Sequence, residues 1–325
     1  MNRLRSHRDL EGMSQHELGA LLGISPQMVS AIESGRRSYA GSLEVIGYRD
    51  DRFVIPAMSE PLHRQRMSTG VTARKRAKEL LRLAGEIFAE LSARTERAPH
   101  LRLQKYPTPQ SSDEMENIAT DVRSVLDHED TGPIQNLTAA VERAGVCLVP
   151  IFGLQGIDGL SSWVNGVPVI GLSISSVPGD RFRLTLAHEL GHLLIHARYA
   201  DGTEGQANQF ASALLFPKAD FEAAMPERPQ LRDFIALKAS WGVSVAALIY
   251  RSHELEYVND VRYRALQIQM SKWHRSEPGF FDPIYGTLLP RLVEVNGGLS
   301  SVATDLGINR RHLADTITWS HLRVA

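Results

Sequence analysis

The chain has very little cysteine: Cys147 is the only one in 325 residues. An internal disulfide is excluded, and inside the apolar run "GVCLVPI" this thiol reads as a buried strand residue rather than a nucleophile. An excess of one charge is also missing. The 36 Lys and Arg are balanced by 37 Asp and Glu, and the pI is near 6.9. No global field draws such a chain to nucleic acid, so any DNA contact must come from a local patch. No apolar run reaches the length of a membrane span, and the opening "MNRLRSHRDL" has no apolar core of the signal-peptide kind. The expectation is a soluble, cytoplasmic protein without a membrane partner. What is present, 43% apolar and 22% charged residues, is ordinary globular composition at a length that allows two or more domains.

The segment "RLRSHRDLEGMSQHELGALLGISPQMVSAIESGRRS" predicts short helices joined by a tight turn. Ser14 caps one helix, Leu18, Leu21 and Leu22 give it a buried face, and Gly23 ends it. Ser25 caps the next, with Pro26 at its first position. The small Gly19 permits a close crossing, and Ile24, Val29 and Ile32 fill the space between the helices. This is helix-turn-helix logic. Through Ser14-Gln15, Leu18, Gly23-Ile24-Ser25, Val29, Ile32-Glu33 and Gly35 the first forty or so residues resemble the XRE family of Cro-like repressor domains. The resemblance implies a DNA operator as partner. The helix opening at Ser25 would enter the major groove, with Gln27 the first base-reading candidate, Met28 and Ser30 secondary, and Arg36 and Arg37 on phosphates. Family members usually add two more helices, whereas "SYAGSLEVIGYRDDRF" is short and irregular.

Next, "TARKRAKELLRLAGEIFAELS" carries apolar residues at the 3.6 period and predicts one long amphipathic helix. Its basic start, Arg74, Lys75, Arg76, Lys78 and Arg82, reads as a solvated face before it reads as a DNA contact. The polar, proline-containing stretch that follows, "SARTERAPHLRLQKYPTPQSSD", reads as a linker. From a capping box at Ser111 and Glu114 the helical pattern restarts. A strand "VCLVPIF" comes next, then "GLSSWV" and "PVIGLS" flanking Asn165-Gly166, a hairpin signal.

"LAHELGHLLIH" follows. His188 and His192, four apart, share one helix face, and two neutral imidazole nitrogens aimed at one point suit zinc. In a helix otherwise buried through Leu184, Leu186, Ala187, Leu190 and Leu194, two histidines and a glutamate are costly without a common purpose. A third ligand is needed. His196 lies about 12 Å along the helix axis from His188, too far for a shared ion. Glu204, in the first turn of the helix "TEGQANQFASALLFP" and on its buried face, is the better candidate, with Asn208 one turn on to hold it in place.

"AHELGHLLIH", then Glu204-x-x-Ala207-Asn208-x-Phe210-Ala211 and "LLFP", is similar to the ImmA/IrrE family of zinc metallopeptidases. The likeness extends from about Ser112 to Gly279. It implies zinc held by His188, His192 and Glu204, with Glu189 catalytic as the general base. Members often carry a second acid where this chain has Gln206. For the oxyanion, Tyr199, His196 and Arg183 stay open, and the edge of the hairpin is a candidate for binding extended substrate by strand addition.

The expected fold is α+β, mainly α, in four stretches. These are a shortened helix-turn-helix over 1–45, a linking helix and linker over 46–111, a peptidase domain over 112–279 and a helical region over 280–325. In the last, "GLSSVATDLGINRRHLADTI" repeats the helix-turn-helix pattern: Val302 falls on Leu18, Ala303 on Gly19, Gly307-Ile308 on Gly23-Ile24, Asn309 on Ser25 and Leu313 on Val29. A second such pair would put Arg310, Arg311 and His312 where nucleic-acid contacts lie; packing alone demands the same positions. Two functions stay open. One is a DNA-targeted zinc endopeptidase that cleaves a repressor, or itself, in a stress, prophage or mobile-element response. The other is a DNA-binding, antitoxin-like repressor whose zinc domain senses a ligand and cuts little. A homodimer is compatible with either.

Overall fold

The computed structural model describes residues 1–61, 70–152, 158–174, 177–198, 200–273 and 277–319. Its first helices are α1 (Arg3–Glu11), α2 (Gln15–Leu22), α3 (Pro26–Glu33), α4 (Val71–Arg94), α5 (Ser112–Val125) and α6 (Leu137–Arg143). Three strands follow, β1 (Cys147–Ile151), β2 (Gly159–Val164) and β3 (Val167–Ser173). Then come α7 (Gly179–Ile195), α8 (Thr203–Leu215), α9 (Lys218–Ala224), α10 (Leu231–Trp241), α11 (Val245–Glu254) and α12 (Asp260–Ser271). The chain closes with α13 (Leu288–Val295), α14 (Gly298–Leu306) and α15 (Arg310–Ile317). The fold is α+β and mainly α. It forms two compact units, Met1–Pro99 with Val146–Ile174 and Gly286–Ala325, and His100–Gly145 with Ser175–Tyr285. This division cuts across the consecutive segments that the sequence suggests.

The first unit is organised by α4. Leu80, Leu81, Leu83, Ala84, Ile87, Phe88 and Leu91 are all buried, a stripe too wide for a helix that only links domains. The sheet, in order β1-β3-β2 with β1 parallel and β2 antiparallel to β3, lies on this helix. Gly85 makes the approach possible, because a Cβ there would stand 2.6 Å from Val164 Cβ. Apolar burial against α4 therefore draws the three strands into the same unit as the N-terminal helices. The basic start of α4 is largely spent on pairing: Arg76 with Asp315 at 3.3 Å, Lys78 with Glu60 at 2.7 Å, and buried Arg82 with Glu79 at 3.2 Å. The hairpin forms as expected, with Asn165 and Gly166 both at positive φ. Its outer edge is taken, however. Met58 bridges to Val164, Ser59 N donates to Trp163 O and Asn165 N to Ala57 O, so this edge has no room for an added substrate strand.

Helices α2 and α3 form the predicted pair, with a capping box between Ser14 and Glu17, Ser25 Oγ accepting from Met28 N, and Leu18, Val29 and Ile32 in the core. The irregular stretch after them makes two short 3₁₀ turns, and Leu43, Ile46 and Tyr48 join the same core. What the shortened domain lacks is supplied from the other end of the chain. Asn309 Nδ2 donates to Ile46 O at 2.9 Å, Arg49 N to Gly307 O at 2.9 Å, and His312 lies between Tyr48 Oη (2.7 Å) and Glu11 Oε1 (2.8 Å). The pair α14–α15 does repeat α2–α3: Gly307 caps at φ 63 where Gly23 caps at φ 67, and Val302 and Leu313 are buried like Leu18 and Val29.

The second unit is all helical. Its closest packing is between α7 and α8, where a Cβ on Gly191 would come within 2.8 Å of Phe210 Cδ1. Buried Arg123 on α5 ties down loops by donating to the carbonyls of Glu129, Thr131 and Leu214. The proline-containing stretch expected as a linker is seated along this unit. Arg102 N donates to Ala144 O and Tyr106 N to Leu194 O, the latter at the end of the histidine helix.

Candidate metal centre and nucleic-acid interface

Helix α7 carries His188, Glu189 and His192, and α8 brings Glu204 up from its first turn. His188 Nε2 and His192 Nε2 lie 3.1 Å apart, and Glu204 reaches them at 3.6 and 3.5 Å. One ligand atom from each residue falls within 4.8 Å of the others, the only such group among the described residues. His192 is fully buried, while His188 and Glu204 keep 18% and 26% exposure, so the cluster opens to solvent on one side. Glu189 is buried beside it.

The remaining ring nitrogens explain why these faces point inward. His188 Nδ1 is 2.8 Å from Asn208 Oδ1, an acceptor, so this nitrogen carries the proton and Nε2 keeps its lone pair. Asn208 therefore orients His188 and not Glu204, contrary to the expectation from spacing. At the other histidine a longer chain does the same. His196 Nε2 donates to Gln206 Oε1 at 3.0 Å, which leaves His196 Nδ1 to accept from His192 Nδ1 at 3.0 Å. His192 Nε2 is then a lone pair as well. Two lone pairs 3.1 Å apart, with a carboxylate against both, repel one another unless a cation lies among them, and the N,N,O donor set suits zinc.

The electrostatics show the same demand for positive charge in the cluster, which a proton meets as well as a cation. Burial alone favours neutral His188, but hydrogen bonding to Glu204 and the charges of Glu189 and Glu204 outweigh it and raise its pKa. Glu204 is likewise desolvated, yet hydrogen bonds from His188 and His192 and their charge hold its carboxyl far below the usual range. Burial lowers the pKa of His196, with Gln206 opposing, so the ring in the relay stays neutral.

Of the oxyanion candidates, Tyr199 lies outside the described residues. His196 has both nitrogens engaged in the relay. Arg183, five positions before His188 and so about 140° round the helix, turns its guanidinium to the carbonyls of Ile134 and Gln135. Neither described residue serves an oxyanion here.

In the first unit, Gln27, Ser30, Arg36 and Arg37 line one shallow surface hollow with Pro26 and Gln15. Gln27, Arg36 and Arg37 are exposed, Met28 and Ser30 half-buried, and Ser25 is occupied as the cap of α3. Arg37 Nη1 rests on Met28 Sδ at 3.3 Å and Arg36 Nε on Ser34 Oγ at 2.9 Å. Gln15 belongs to the pattern that carries the family resemblance but is not among the predicted DNA contacts, although its place at the start of α2, beside the end of α3, is the available signal. It donates to Glu33 at 2.8 Å. On α15, His312, opposite Met28 in the repeat, is 2% exposed and Asp315 pairs with Arg76, whereas Arg311, opposite Gln27, is exposed.

Residues 4–38 match the family model of the helix-turn-helix, and residues 142–253 match that of the IrrE N-terminal-like domain, a peptidase family. The chain joins a helix-turn-helix to an IrrE-like peptidase domain. No curated protein gives a significant match. The IrrE-like match runs from the end of α6 through the sheet to α11, so it takes in His188, Glu189, His192 and Glu204 together with strands that belong to the first unit. Among the described residues no single helix is long and apolar enough to cross a membrane.

Proposed function

We propose that this protein is a DNA-binding transcriptional regulator whose IrrE-like domain is a zinc-dependent endopeptidase acting on a protein, a repressor or the chain itself, in the cytoplasm. The observation that carries the reading is the convergence of His188 Nε2, His192 Nε2 and Glu204 with both imidazole tautomers fixed from behind. These three residues would hold zinc, which supplies Lewis acidity to a water and to a substrate carbonyl. Glu189, next in sequence to His188 and buried, is placed to take a proton from the attacking water and return one to the departing amine. Asn208 and the His196–Gln206 pair hold the histidine rings so that both Nε2 atoms face Glu204 and the metal position. The one-sided opening leaves a path for a peptide. On the DNA side, the hollow formed by Gln27, Ser30, Arg36 and Arg37 supports readout by α3 in the major groove with arginines on the backbone.

The test incubates zinc-loaded wild-type protein and its Glu189→Gln form, each alone and with any repressor protein encoded next to its gene. Cleavage by the wild type alone supports the peptidase reading. Cleavage by neither, with tight operator binding by both, favours a repressor whose metal domain does not cut.

A further inference from the structure

The second unit contains a cation with no carboxylate partner among the described residues. Arg183, near the start of α7, is half-buried and donates from Nη1 to Gln135 O at 3.3 Å and from Nη2 to Ile134 O. Its Nε is buried without a hydrogen-bond partner, and no carboxylate pairs with the guanidinium among the described residues. The neighbouring charge is another cation, Arg123, whose own donors are taken by backbone carbonyls. Burial pulls the Arg183 pKa down to about 10, which still leaves it charged at neutral pH. An uncompensated charge in such a place is costly, and natural interiors pair it or leave it facing a site for an anion.

The guanidinium forms part of the wall of a cavity of about 310 Å³. The rest of the wall is mainly apolar, with Phe182, Trp241 and Phe281 prominent, and the exposed Ala239 and Ser240 stand at its rim. A Cβ on Gly242 would meet Phe281 Cζ at 3.5 Å and Arg183 Cδ at 3.8 Å, which brings ring and arginine to the same point of the wall. The volume is at the small end of ligand sites. At the ~30 Å³ that one water occupies in the liquid, it holds on the order of ten non-hydrogen atoms.

We propose that this cavity binds a small apolar or aromatic monocarboxylate, with its hydrocarbon among Phe182, Trp241 and Phe281 and its carboxylate on Arg183. One guanidinium in an otherwise apolar wall suits one anionic group; a phosphate or a dianion would leave charge unmatched. This seat is distinct from the metal centre and does not depend on the peptidase reading.

Calorimetric titration of the full chain with phenylacetate and octanoate, against 2-phenylethanol and octanol, tests it. The acids should bind with 1:1 stoichiometry and roughly tenfold or more tighter than the alcohols of the same carbon skeleton, since only the acids form the charge-assisted pair. Arg183→Leu should remove the preference and Arg183→Lys should keep part of it. If Arg183→Leu does not fold, the acid–alcohol comparison on the wild type still decides. Ala239→Trp, a change at the exposed rim, should block entry. Equal binding of acids and alcohols, no saturable binding up to about 10 mM, or unchanged binding in the Ala239→Trp protein would each overturn the proposal.

Discussion

His196 Nδ1 lies 3.0 Å from His192 Nδ1, across the C-terminal cap of α7. Two like nitrogens at that distance share one proton, and Gln206 Oε1 on the far side of His196 determines which ring gives it up. His196 is thus placed to set the tautomer of His192, one of the proposed ligands. Gln206→Ala and His196→Ala should each weaken zinc binding by roughly 10- to 100-fold, the usual effect of removing the partner of a ligating histidine. Gln206→Glu keeps an acceptor and should retain affinity. Competition with a chromogenic chelator measures this directly, and unchanged affinity in His196→Ala would remove the relay.

The proposed ligands and the proposed base separate by what their variants lose. His188→Ala/His192→Ala protein should contain no zinc by elemental analysis, because Glu204 alone offers only carboxylate oxygens. Glu189→Gln should bind zinc like the wild type and lose hydrolysis. Full activity in that variant would take the base role from Glu189, and full zinc retention in the double variant would remove the metal centre as drawn.

The histidine helix was legible because its signal is local: two histidines one turn apart stay on one face whatever surrounds them, while Glu204 was legible from its place on the buried face of the next helix. The hairpin was legible for the same reason, since Asn165 and Gly166 meet a local backbone demand. What the sequence did not reveal was nonlocal. Nothing in the composition of "SYAGSLEVIGYRDDRF" says that Asn309 will cap against Ile46, or that Ala57 and Ser59 will close the edge of β2. The prolines that marked a linker describe an extended backbone equally well, and here that backbone is held by Ala144 and Leu194. Asn208 bonds His188 rather than Glu204, because side-chain reach toward α7 is not visible from spacing along α8.

Base reading and backbone contact should separate on α3 and the turn after it. Gln27 is exposed and lines the hollow, so Gln27→Ala should change which duplex is preferred, at a cost of about 1–3 kcal/mol on the best site. Arg36→Ala should weaken all duplexes alike. Gel shifts against a randomised pool and a single operator measure both, and an absence of duplex binding by wild type at low salt would end the DNA assignment.

His7 gives the first unit an acid limit. It is buried against Tyr48 and His312, neither ring nitrogen has a hydrogen-bond partner, and burial, with the charges of His312 and Arg311 opposed by Glu11, lowers its pKa to about 4. With the folded pKa below the unfolded 6.5, the neutral ring contributes full stability above pH 6.5 and loses it as pH falls toward 4. The loss is on the order of 2–3 kcal/mol. Glu11, held down to about 2 chiefly by its hydrogen bond to His312 against burial, adds a second loss at lower pH. Urea unfolding between pH 7 and 4 should show the first decline in wild type and a much flatter profile in His7→Leu; equal slopes would show that other groups set the limit.

The C-terminal pair repeats the helix-turn-helix but should not read DNA. Where α3 offers Met28 and Ala31, α15 has His312 enclosed by Tyr48 and Glu11, and Asp315 paired with Arg76. That side of α15 cannot turn into a groove without breaking the contacts that complete the N-terminal core. Arg310 and Arg311 are exposed, but Arg310 bonds Ser300 and Arg311 pairs with Glu11 on α1, so both act within the unit. Leu313→Ala, which empties a fully buried position, should cost about 2–5 kcal/mol and lower operator affinity only through unfolding. Arg310→Ala/Arg311→Ala should leave the salt dependence of DNA binding unchanged, whereas Arg36→Ala/Arg37→Ala should reduce its log–log slope by about 2, one for each lost phosphate contact. A shallower slope in the Arg310→Ala/Arg311→Ala protein would instead place α15 on the nucleic acid.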